Sequence, residues 1–158
     1  MILPKHKYCG TKSLIVLGQY HLDDVFNNIG SHLKEYRINH NSYYESYYVK
    51  MNSVRYTLFK KNPHCTSCGL CGSIFLLEKP ATQHIGATKP MAHFNLYAIE
   101  NNELILMTKD HFIPRSQGGI DGFSNYNTMC GICNALKLDR TLSNKEVHER
   151  RLVYNSLG

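Results

Sequence analysis

The stretch Thr108–Lys137, TKDHFIPRSQGGIDGFSNYNTMCGICNALK, decides the reading of this chain. Asp110 and His111 close an apolar run, Leu104 to Met107, which predicts a strand. Cys133 and Asn134 open a run of helix formers, Ala135-Leu136-Lys137-Leu138. Between them Pro114 fixes φ and the pair Gly118–Gly119 tolerates positive φ, so the loop is able to reverse. A strand end and a helix start then meet across one loop. That brings together a carboxylate (Asp110), a titratable imidazole (His111) and a neutral amide oxygen (Asn134). A hard divalent cation takes oxygen ligands and keeps positions open for water and phosphate. An imidazole beside it accepts a proton near neutral pH. The set suits hydrolysis of a phosphodiester.

Moving outward, the cysteines carry the next signal. Cys65-Thr66-Ser67-Cys68 and Cys130-Gly131-Ile132-Cys133 are two C-x-x-C knuckles, and paired knuckles predict a structural zinc held by four thiolates. With no secretory signal in the sequence, disulfides are not expected. Such a site contributes on the order of 10 kcal/mol to folding, comparable to the whole net stability of a domain. Cys68-Gly69-Leu70-Cys71 is a third C-x-x-C, so Cys71 competes for a place in the site; we favour Cys65 with Cys68. Cys9 stands alone and reads as a free thiol.

The residues Asp110-His111, Asn125 and Asn134 resemble the pattern of the HNH endonuclease family. That pattern has Asp-His at the end of a strand, Asn in the loop, and His or Asn on the helix. Here Asn125 and Asn134 follow Asp110 at the family's spacing, and the stretch CGLCGSIF resembles the knuckle and strand of phage-type members. The resemblance covers mainly residues 62–140. It implies an α+β fold: a ββα-metal finger built on a treble-clef-like four-cysteine zinc site, of phage or mobile-element type. It also implies that His111 is the general base, that Asp110 and Asn134 hold the catalytic metal, and that Asn125 braces the loop through backbone hydrogen bonds. Asn at the last position, where many members have His, favours magnesium or manganese over zinc or nickel there. The expected activity is endonucleolytic cleavage of duplex DNA, by nicking or by a double-strand cut. Arg115 and Lys137 flank the site as candidate phosphate contacts, with ordinary solvated charge as the equal alternative. A junction-resolving endonuclease and a non-enzymatic zinc module that binds DNA are the rival readings.

The flanks read as support. After a strand-like run, Ser13 to Leu17, the residues Leu22, Val25, Phe26, Ile29 and Leu33 share one face at helical spacing, although Gly30-Ser31 weakens that helix. Tyr43-Tyr44, Tyr47-Tyr48-Val49 and then Val54, Tyr56 and Leu58 predict two strands around a turn at Met51-Asn52-Ser53. Aromatics interleaved with Arg55, Lys60 and Lys61 are able to meet nucleic acid, but more often they pave a half-buried sheet. Ser73 to Leu77 reads as a strand, and Lys79 to Met91 as an irregular loop holding His84, with His93 beside it as a minor site candidate. Phe94–Ile99 and Leu104–Met107 flank Asn101-Asn102, residues that tolerate a tight hairpin turn. Ser143-Asn144-Lys145-Glu146 has capping-box spacing ahead of a last helix. We expect an N-terminal helix and β extension over 1–61, a nuclease core over 62–142, and a helix over 143–158 packed on it.

Composition bounds these readings. A chain of 158 residues with 42% apolar and 19% charged residues has the make-up of one globular domain. Its longest aliphatic run, Leu14-Ile15-Val16-Leu17, is too short to span a membrane, so an intracellular, cytoplasmic protein is expected. The formal charge of +6 points modestly towards a polyanion such as DNA. Nothing in the sequence fixes the oligomeric state: a monomer suffices for nicking, whereas a homodimer would cut both strands.

Overall fold

In the computed structural model the described residues are 5–6, for which only the backbone is treated, 14–81 and 89–158. Cys9, His84 and the side chains of Lys5-His6-Lys7 lie outside them. The elements in chain order are β1 (Lys5–His6), β2 (Leu14–Tyr20), α1 (Leu22–Phe26), β3 (Leu33–Asn39), β4 (Tyr44–Lys50), α2 (Val54–Lys61), β5 (Gly72–Pro80), β6 (His93–Glu100), β7 (Glu103–His111), β8 (Tyr126–Cys130), α3 (Gly131–Lys137) and α4 (Asn144–Ser156). The architecture is mixed α+β.

The main sheet runs β1-β7-β6-β5-β2, with β8 added to β7 off that path. Its centre is the β6–β7 hairpin expected from the sequence. The two residues of its turn, Asn101 and Asn102, have φ of 50° and 60°, a region in which asparagine is the commonest residue after glycine. Strand β7 changes partner along its length. Its first half, Glu103 to Leu106, pairs antiparallel with β6; its second half, Met107 to His111, pairs with β8. One strand therefore begins in the main sheet and ends carrying Asp110 and His111.

Strands β5 and β6 are buried on both faces, which is why Ile74 to Leu77 reads as an unbroken apolar run rather than an alternation. On one face Phe75, Leu77, Phe94 and Leu96 join the main core. On the other, Ile74, Leu76, Tyr97 and Leu104 form a second cluster. Over the first face α1, α2 and the β3–β4 ribbon bring Phe26, Tyr56 and Tyr36. Their rings meet Phe75 and Phe94 edge-on at centroid distances of 5.1–6.3 Å, the arrangement that ring quadrupoles favour.

Two N-terminal expectations are corrected. The helix expected through Leu33 stops at Phe26, because the Asn28 side chain donates to the Asp24 carbonyl (2.7 Å) and takes a helix-terminal acceptor. Leu33 instead begins β3, whose partner is β4. Val54 to Leu58, expected as the second strand after the 51–53 turn, lies in helix α2. There Tyr56, Leu58 and Phe59 are buried against the core, so tertiary packing overrides their strand propensity. The last helix starts as its sequence predicts: Ser143 Oγ accepts from the Glu146 amide (3.2 Å), and Glu146 Oε2 accepts from the Ser143 amide (2.8 Å).

Candidate functional site

The sulfurs of Cys65, Cys68, Cys130 and Cys133 lie within 4.8 Å of one another. Backbone hydrogen bonds shape the first knuckle: Gly69, at φ 77°, donates its amide to the Cys65 carbonyl (2.8 Å), and the Cys65 amide donates to Leu70. Thr66 and Thr128 dock that loop on β8. The Thr66 amide donates to the Thr128 carbonyl at 2.9 Å, and Thr128 Oγ1 donates to the Asn62 carbonyl at 2.6 Å. The second knuckle is the start of α3, where Cys130 is the N-cap and accepts the Cys133 amide on sulfur at 3.4 Å.

Four sulfurs this close cannot all ionise without a cation between them. Hydrogen bonds from their neighbours, Cys130 first, hold Cys65 and Cys68 below the ordinary thiol value, Cys68 at about 7. Cys133 is pushed up, Cys130 again being the largest cause. A tetrahedral zinc with bonds of about 2.3 Å sets neighbouring sulfurs about 3.8 Å apart. Cys68 Sγ and Cys130 Sγ are 3.8 Å apart, so the cluster fits that ion. Arg151, buried on α4, donates Nη1 to Cys130 Sγ (3.6 Å) and Nε to Asn155 (3.0 Å), and its Nη2 pairs with Glu100. Cys71 is exposed and donates to the Gly72 carbonyl, outside the cluster.

The far end of β7 and helix α3 frame an open cleft lined by Asp110, His111, Arg115 and Asn134 among others. Asn134 donates Nδ2 to Thr108 Oγ1 (3.1 Å), while that hydroxyl donates to the Met129 carbonyl (2.8 Å). The chain of donors fixes the amide orientation and leaves the Asn134 oxygen as an acceptor. Asp110 is held on one side only: Lys137 Nζ lies 2.5 Å from its Oδ2 and also donates to the His111 carbonyl. One carboxylate oxygen of Asp110 and the amide oxygen of Asn134 thus remain, an all-oxygen set that fits a hard divalent cation.

Lys137 is corrected by this placement. Expected as a phosphate contact or solvated charge at the rim, it is 1% exposed, because Asn134 and Lys137 lie three apart on the helix and share the face turned to β7. Arg115 is exposed at the site, but its guanidinium grips Asp121: Nη2 lies 2.7 Å from Oδ1 and 2.8 Å from Oδ2, and Nε 3.2 Å from Oδ1. Oδ1 also meets His111 Nε2 at 2.8 Å. The bond to His111 first, and those to Arg115 next, hold the Asp121 carboxyl well below the usual carboxylate value. The sequence reading missed Asp121.

Asn125 is buried under the loop. Its Oδ1 accepts the Ile113 amide (2.8 Å), and its Nδ2 donates to the carbonyls of Ile113 (3.0 Å) and Ile120 (2.9 Å). The loop is close enough at that point to demand glycine: a Cβ on Gly119 would lie 1.7 Å from the Ile113 carbonyl oxygen. Beyond it Tyr126 stands edge-on to His111 (5.1 Å) with Lys109 Nζ 4.0 Å from its ring centre, and Lys61 lies 5.2 Å from the Phe123 ring. His93 sits half-buried at the start of β6, where burial and then Arg55 lower its pKa, and it does not line the cleft.

A strand end bearing Asp-His, a loop stapled by Asn and a helix bearing Asn thus meet beside the paired cysteine knuckles. Residues 99–140, from the end of β6 to just beyond α3, match the HNH endonuclease family. No curated protein and no solved structure matches the chain. No helix among the described residues is long and apolar enough to cross a membrane.

Proposed function

We propose that the chain is a metal-dependent DNA endonuclease. In this reading β7, β8 and α3 form a ββα-metal finger resting on a four-cysteine zinc site. The observation that carries it is the meeting of Asp110 and His111, from the end of β7, with Asn134, from α3, in one open cleft of the HNH segment. Asp110 and Asn134 would hold a magnesium or manganese ion through their oxygens, and Cys65, Cys68, Cys130 and Cys133 a structural zinc. When bound, the catalytic ion supplies charge neutralisation for a non-bridging phosphate oxygen and the leaving 3′ oxygen.

The chain's own residues do the rest. His111, as neutral imidazole, takes the proton of the attacking water. Lys137 fixes the carboxylate of Asp110 from below, and Asn125 holds the loop that follows His111. The basic charge of the chain favours a polyanionic substrate, and duplex DNA is the substrate class implied by the family. Target recognition or support falls to residues 1–61 in this reading.

Incubation with supercoiled plasmid, linear duplex and a four-way junction, with and without magnesium or manganese, tests this. The parent should nick or cut with metal, and His111→Ala should lose at least about 10²-fold in rate, the lower end of what a general base contributes, with little change in DNA affinity. Equal cleavage by His111→Ala would remove His111 from the chemistry. DNA binding with no cleavage under any of these conditions would favour a non-enzymatic zinc module, and a marked preference for the junction would favour a resolving enzyme.

A further inference from the structure

The loop between β7 and β8 places a carboxylate on the histidine that the nuclease reading makes the base. A carboxylate cannot donate a hydrogen bond, and Arg115 keeps this one ionised by donating to both of its oxygens. The contact of 2.8 Å between His111 Nε2 and Asp121 Oδ1 therefore carries its proton on the imidazole side. The neutral ring then has its hydrogen on Nε2, and Nδ1 is the one nitrogen left with a free lone pair. We propose that Asp121 is a positioning residue, which sets the tautomer and ring orientation of His111 so that Nδ1 takes the proton from water. This rests on the proposed nuclease function.

Several features converge on Asp121. It follows Gly118, which turns at φ 85°, and Gly119, which packs against the Ile113 carbonyl. Arg115 begins the same turn, in a short 3-10 segment, Arg115–Gln117. Tyr126 closes the other side of the His111 ring edge-on. The ring is thus held by an ionic hydrogen bond at one nitrogen and by an aromatic contact, while Arg115 spends its donors on Asp121. Arg115 acts on the site through that carboxylate, as its lock, which differs from the direct phosphate contact expected for it.

The change Asp121→Leu, which removes the acceptor and keeps the bulk, separates this role from packing. The oxygen that meets His111 Nε2 also takes two of the Arg115 contacts, at 2.7 and 3.2 Å, so an amide here would keep its oxygen on the ring, and a side chain without an acceptor is needed to release Nε2. The neutral ring is then free to carry its hydrogen on Nδ1, the tautomer that cannot accept a proton there. In enzymes whose histidine base is held by an aspartate, disturbing that arrangement lowers kcat by up to about 10⁴. Single-turnover cleavage of supercoiled plasmid with magnesium, together with nitrogen-15 NMR of the neutral His111 ring, reads both consequences in the full chain.

The expected result is a fall in kcat of at least tenfold for Asp121→Leu, with KM for DNA within twofold of the parent and the ring hydrogen no longer confined to Nε2. Asp121→Glu, which keeps the carboxylate, should recover part of the loss. Cleavage by Asp121→Leu within twofold of the parent, equal losses in both variants through KM, or a parent ring protonated on Nδ1 would each overturn the proposal. If the parent cuts no DNA, the nuclease reading falls by itself, and the NMR result still decides which ring nitrogen carries the hydrogen beside Asp121.

Discussion

Asn125 and Lys137 show how differently two buried polar side chains near one cleft are read from sequence. Asn125 was legible through its place in a family pattern, and its three hydrogen bonds to loop backbone give that place a physical meaning. Asn125→Ala strands two carbonyls and an amide, and should cost about 2–3 kcal/mol by denaturant unfolding while lowering the cleavage rate. Lys137 was misjudged because a lysine near a proposed nucleic-acid site invites a phosphate contact, although its i+3 relation to Asn134 already put it on the same face. Removing its ammonium in Lys137→Met leaves Asp110 partly buried without a partner. Stability should drop by about 2–3 kcal/mol, below the range for a fully buried pair, and magnesium should raise the Tm of this variant more than that of the parent. An equal magnesium effect on both proteins would mean that the cation does not reach Asp110. Asp121 was not legible at all: nothing in its neighbours' identities shows that a Gly-Gly turn folds it back onto His111.

At the level of elements, the β6–β7 hairpin, α3 and α4 were readable because each carries a local signal: paired asparagines, a run of helix formers after the second knuckle, a capping box. The N-terminal elements were not. Val54-Arg55-Tyr56-Thr57-Leu58 has strand-forming residues, yet becomes helix because Tyr56, packed on Phe75 and Phe94, and the buried Leu58 and Phe59 gain more from burial than their intrinsic preference costs. Strand β8 was hidden by its length of five residues. Helix α4 looked like a simple support and proves to be wired to the thiolate cluster through Arg151, whose guanidinium bridges Cys130, Glu100 and Asn155. Arg151→Leu should therefore destabilise the fold by about 3 kcal/mol and hasten zinc release to a chromophoric chelator, whereas Leu152→Ala, one residue on but exposed, should change neither.

For the whole molecule, class and site were legible earlier than topology, since four cysteines and three polar residues at fixed spacing constrain chemistry more tightly than strand order. The switch of β7 from one partner to another was invisible because the apolar run Leu104–Met107 has the same pattern whichever strand lies beside it. With zinc as the proposed occupant, metal removal should unfold the chain in one cooperative step, because β7 belongs to both the main sheet and the site; a retained sheet after chelation, seen as unchanged far-UV circular dichroism, would show the two to be independent. The two knuckles are also 62 residues apart from Cys68 to Cys130. An unfolded chain offers them as separate two-sulfur traps, and metal that binds the unfolded state works against folding. Scarce zinc starves the clasp, while abundant zinc loads each half alone and leaves no vacancy for the other to fill. Refolding yield should then rise and fall with added metal, peaking near one equivalent, so a cell making this protein would profit from a tightly buffered zinc supply more than from a plentiful one.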